Sequence, residues 1–129
     1  MQKQSNRLII GILASLALVA ALSVPAAAHH GWGGNSDQES ELTGTLEVPV
    51  SLAGPHATMR IQDADGQIWD ITLAPPARTD RAGLKEGMIP VGAEVTVSGH
   101  RNSDPNRREI KTERVTWNGT NYDVYANRL

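Results

Sequence analysis

Four histidines, His29, His30, His56 and His100, are the strongest metal ligands in this chain of 129 residues, which contains no cysteine. Without thiolates there is no iron–sulfur cluster and no cysteine zinc site, so a bound metal must be held by nitrogen and oxygen. His29 and His30 follow Ala26-Ala27-Ala28. A cut after Ala28 would give His29 a free α-amino group beside its own imidazole, a chelating pair suited to Cu(II), with zinc as the alternative. His30 would add a second ring or the amide between the two residues. The spacing lacks the tight ligand pairs that make metal motifs specific, so the metal reading depends on the terminus.

The other two histidines are joined by topology rather than by spacing. His56 follows Gly54-Pro55 and opens a strand, whereas His100 closes the strand "AEVTVSGH". If the fold is an OB-type barrel, the two loops concerned flank one ligand-binding face. His56 and His100 are then expected to approach each other, and a glycine-rich arm to bring His29 and His30 onto them. The plainer alternative is a His56 that caps its turn through a ring hydrogen bond and a histidine pair that is only solvated.

The remaining polar residues exclude more than they suggest. Asp63 and Asp65 flank Gly66 in a turn, there is no Gly-x-Ser-x-Gly and no glycine-rich phosphate loop, and no nucleophile has an evident base. A non-enzyme is expected. Arg101, Arg107 and Arg108, with Lys111 and Arg114 beyond them, form a basic run that in an OB-fold would belong to a ligand-contacting loop. Asp104, Glu109 and Glu113 nearly balance that run.

The elements that must position these residues begin with a leader. Lys3 and Arg7, the apolar run Leu8–Leu22 and the small residues up to Ala28 have the three-part layout of a bacterial secretory signal peptide. The apolar run is shorter than the ~20 residues of a membrane-spanning helix. The expected division is therefore a signal peptide over 1–28, a flexible arm over 29–40 and one domain over 41–129, periplasmic or secreted, with no stable membrane anchor after cleavage. Loss of Lys3 and Arg7 moves the formal charge from −2 to −4, which disfavours nucleic acid as a partner.

Within the domain, alternation of period two marks strands. Leu42, Gly44, Leu46, Val48 and Val50 fall on one face, then Ala57, Met59 and Ile61. "QIWDITL" follows the Asp63–Gly66 turn, with Trp69 expected in the core. Pro75-Pro76 stop this third strand, and residues 79–86 suit a short helix. Val95, Val97 and Gly99 alternate again, "IKTERVTW" follows, and Asn118-Gly119 signals a type I′ turn into a short sixth strand. Three strands, one helix and more strands in about 100 residues predict an all-β, OB-fold-like, partly open barrel rather than a plain sandwich.

Ala-His-His after the leader, "LTGTL", "GPHA" and "GLKEGMIPVGAEVTVSGHR" together resemble a family of small secreted bacterial proteins classed as a domain of unknown function. The resemblance places that family's double histidine on His29 and His30, its aromatic on Trp32 and its Pro-His-Ala on Pro55, His56 and Ala57. Gly54 stands where the family has asparagine, and His100 where an aromatic is commoner. The resemblance implies a secreted OB-like domain and brings no activity. The sequence thus points to a non-enzymatic binding module whose partner is a small ligand, a metal or an envelope protein. A copper protein using His29 and His30 is the alternative.

Overall fold

The computed structural model describes residues 32–129, so the leader and the His29-His30 pair lie outside the described residues. Strand β1 spans Asn35–Ser51, β2 Thr58–Gln62, β3 Ile68–Thr72, β4 Glu94–Asn102, β5 Glu109–Trp117 and β6 Thr120–Asp123. Helix α1, Pro76–Arg81, separates β3 from β4, and a 3₁₀ turn, Ala126–Arg128, ends the chain. Among the described residues no helix is long and apolar enough to cross a membrane.

Antiparallel ladders join β3 to β2, β2 to β1, β1 to β4 and β4 to β5. A short parallel pairing, Asp70↔Glu109, Ile71↔Ile110 and Thr72↔Lys111, then brings β5 back to β3. The resulting ring with a helix between its third and fourth strands is the expected OB-fold-like barrel. Since the chain has no phenylalanine, aliphatic side chains fill the barrel: Leu46, Met59, Ile61, Ile71, Val97 and Ile110 are all at most 1% exposed.

Departures from simple alternation have local causes. β1 begins at Asn35 rather than in the forties, because residues 35–40, expected as part of the arm, pair with the end of β4 through Asn35↔Asn102 and Glu39↔His100. Val48 is 42% exposed although Leu46 and Val50 are buried. Register shifts on either side of it turn its side chain outward. Helix α1 starts three residues before the expected Thr79, since Pro76 is tolerated in a first helical turn, and Gly83, at φ 94°, follows its end. Trp69 is half-buried at the core's edge rather than inside it. Its indole N–H donates to Asp63 Oδ2 at 2.9 Å, and the Arg101 guanidinium lies 4.7 Å from its ring centroid.

Two features of β5 set up its outer face. Between Ser98↔Arg114 and Gly99↔Thr112 the pairing gains one residue on β5, so Glu113 is a bulge. Its freed carbonyl accepts the backbone N–H groups of Val124 (2.9 Å) and Tyr125 (3.1 Å), which draws the C-terminal segment across the strand. Opposite the bulge, a Cβ on Gly99 would stand 2.1 Å from the Lys111 carbonyl oxygen, so only glycine lets the two strands approach this closely.

Candidate functional site

Strand β5 is buried on both faces over residues 110–113. Ile110 and Thr112 face the barrel, which leaves Lys111 and Glu113 on the other side by strand alternation. Lys111 is 7% exposed, a rare position for lysine. Its Nζ donates to His56 Nε2 at 3.3 Å, which assigns the ring the neutral tautomer with its proton on Nδ1. Two aromatic rings complete the surroundings, with Trp32 at 5.4 Å and Tyr125 at 5.8 Å from Nζ to centroid. Among the described residues no carboxylate pairs with this ammonium.

Two other cations border the same rings. Arg128 places its guanidinium 4.0 Å from the Trp32 centroid, and Arg78 of α1 lies 5.2 Å from that of Tyr125. His100 packs edge-on against Trp32 at 5.6 Å, and Trp32 in turn meets Tyr125 edge-on at 5.2 Å. Among the described residues the one acid in the cluster is Glu113, whose side chain is 1% exposed. Oε1 accepts from Arg128 Nε at 3.1 Å and faces His100 Nε2 at 3.0 Å. A buried carboxylate requires such partners, and Glu113 is therefore already committed.

The electrostatics follow from burial. Desolvation, and then the Lys111 ammonium, hold the His56 imidazole below the usual histidine value. Desolvation also lowers Lys111 below the usual lysine value. Burial pushes the Tyr125 phenol upward, opposed by Arg78 and Arg128.

The histidines expected to converge do reach one patch from separate elements. His56 enters from the loop before β2, and His100 is the ladder partner of Lys111 across β4 and β5. They do not meet as bare ligands. His56 Nε2 is taken by Lys111, and His100 uses both ring nitrogens, Nδ1 donating to the Ser36 carbonyl at 2.8 Å and Nε2 facing Glu113. Among the described residues no three His, Asp or Glu side chains are grouped to hold a metal. His29 and His30 lie outside the described residues.

The basic run disperses. Arg101 covers Trp69, Arg107 pairs with Glu109 at 2.9 Å, and Arg114 pairs with Asp123. The exposed Arg108 offers its carbonyl to the Asp70 N–H. Lys111 alone turns into the buried cluster.

Sequence reasoning missed Glu113, Tyr125 and Arg128 as neighbours of the histidines. The alternation Ile110-Lys111-Thr112-Glu113 was the available signal, since it puts both charges on one face of a strand. What covers that face comes from the two ends of the domain.

No curated protein matches the chain. A family model does, over residues 16–111, a range that includes Trp32, His56, His100 and Lys111 and stops before Glu113. The chain belongs to that family, DUF6152, a family of unknown function.

Proposed function

We propose that this chain is a secreted, non-enzymatic binding module that holds its ligand at the Lys111 cluster. The observation that carries the reading is a lysine residue only 7% exposed, whose ammonium has one hydrogen-bond acceptor at 3.3 Å and no carboxylate partner among the described residues. An arrangement of this kind costs stability, which a purely structural lysine would not repay. Export follows from the three-part leader, and an enzymatic role lacks a nucleophile placed beside a base. NMR titration of the mature protein with a small-molecule extract of the culture tests the reading. Amide shifts gathered on His56, His100, Lys111 and Tyr125 are expected. Shifts confined to other surfaces, or none, would refute it.

A second reading, copper binding by His29 and His30, is favoured by the placement of Trp32. That ring sits against His100, and His30 is two residues before it in the sequence. Mature protein beginning at His29 should show a visible Cu(II) d–d band that one added N-terminal residue removes. Indifference to the extension would exclude a terminal-amine site.

A further inference from the structure

We infer that the ligand of the Lys111 cluster is a small oxoanion, a carboxylate or a phosphate, seated on Lys111 Nζ beside the packed pair of Trp32 and Tyr125. This inference rests on the proposal that the cluster is the binding site, and it adds the chemical class. An ammonium has three N–H donors and no acceptor. Among the described residues Lys111 finds a single acceptor, the His56 ring nitrogen, at a distance long for a charged hydrogen bond. Two donors therefore have no acceptor among the described residues, and oxoanion oxygens are the acceptors that an ammonium holds most strongly.

The balance of charge points the same way. Lys111, Arg78 and Arg128 surround two aromatic rings, and the one carboxylate in contact among the described residues, Glu113, already serves His100 and Arg128. His56 contributes no compensating charge, and as a neutral ring it can donate from Nδ1. A chain with an overall negative charge has here concentrated positive charge around a desolvated centre, where electrostatic attraction is least screened.

A groove of about 440 Å³ is lined by Arg78, Arg81, Val124 and Ala126 among others. Arg78 belongs to both groove and cluster, and Arg81 has no carboxylate partner among the described residues. Asp123 also lines the groove, but Arg114 engages both of its oxygens. The other large groove, about 470 Å³ across Thr58, Arg60, Asp70 and Glu109, carries charges that pair with one another. Arg60 meets Asp70 at 2.7 Å and Glu109 meets Arg107 at 2.9 Å. It offers an anion no unmatched cation.

The test titrates mature protein in chloride buffer with sodium phosphate and, separately, with sodium acetate, followed by amide shifts and tryptophan fluorescence. Saturable binding of at least one anion is expected, with shifts at His56, Lys111 and Tyr125; the arm that saturates tells phosphate from carboxylate. Lys111→Met, shown by its NMR spectrum to be folded, should weaken that binding at least about tenfold, the loss of one charged hydrogen bond. Arg108→Gln, an exposed charge elsewhere, should leave it unchanged. No saturation by either anion up to about 10 mM, beyond the millimolar end of specific affinity, overturns the inference. Equal binding by Lys111→Met, or equal loss in Arg108→Gln, overturns it as well. If culture-extract shifts gather on the cluster while both anions leave it unmoved, the oxoanion is wrong and the binding site stands. If neither extract nor anions move it, both fail.

Discussion

Lys111→Met should make the protein more stable, and this result would separate a functional lysine from a structural one. Methionine has nearly the length of lysine and suits irregular apolar space, so the rings of Trp32 and Tyr125 keep a packing partner. What is removed is one hydrogen bond to His56 at 3.3 Å, worth about 1 kcal/mol, and two long-range cation–π contacts of about 0.5 kcal/mol each. What is relieved is the desolvation of the ammonium of a residue only 7% exposed, a penalty of several kcal/mol. The balance favours methionine by about 1 kcal/mol, a rise in Tm of roughly 4–8 °C for a domain of this size. The sign has a pH signature. Because burial lowers the folded-state lysine value below that of the unfolded chain, the wild type carries the penalty at neutral pH. It regains stability as pH rises from the folded value toward the unfolded one, so the gap between variant and wild type should narrow in alkali. Thermal unfolding by circular dichroism at neutral and alkaline pH measures both effects. A variant that melts several degrees lower than wild type would mean that Lys111 holds the fold together, and the binding argument built on its cost would collapse.

Glu113→Gln should destabilise by about 2–3 kcal/mol in urea unfolding, below the full cost of a broken buried pair because Arg128 is 38% exposed on its side chain; no change in midpoint would show that the carboxylate is not what anchors His100 and Arg128. Gly99→Ala should cost roughly 3 kcal/mol or more, since its Cβ would meet β5 backbone at 2.1 Å rather than a yielding side chain, and a soluble variant with native melting would contradict the packing described. His56, held below the ordinary histidine value by burial and Lys111, contributes stability that is complete above the unfolded value and lost as pH falls through the folded one. Wild type should therefore lose stability relative to His56→Asn between neutral and mildly acidic pH, and parallel curves for the two would refute that assignment.

The barrel was legible because its interior follows alternation: Leu46, Met59, Ile61, Val95 and Val97 face inward as their spacing requires. Legibility ended where alternation did. The register shifts that expose Val48, and the bulge at Glu113, each insert a residue without any composition that marks it. The polar stretch Asn35–Ser40 looked like loose chain, yet backbone pairing to β4 makes it strand, and hydrogen-bonded pairing does not require apolar side chains. Asn118 and Gly119, by contrast, have the positive φ values, 50° and 75°, that their sequence signal demands.

The candidate site divides in the same way. His56 and His100 could be brought to one patch from topology alone, because His56 leads into β2 and His100 lies near the end of β4, strands whose neighbours in the barrel are fixed by the strand order. Lys111 and Glu113 could not, since a Lys and a Glu alternating with apolar residues normally describe the solvent face of a strand. That face is covered by Trp32, which precedes the barrel, and by Tyr125 and Arg128, which follow it. Burial of Lys111 is thus a property of the whole chain's closure, and of the Glu113 bulge that draws the C-terminal segment over the strand. A substitution at Trp32 or Tyr125 acts on the lysine's solvation as directly as one at Lys111 itself. The acid–base character of this centre is consequently set by residues far apart in sequence.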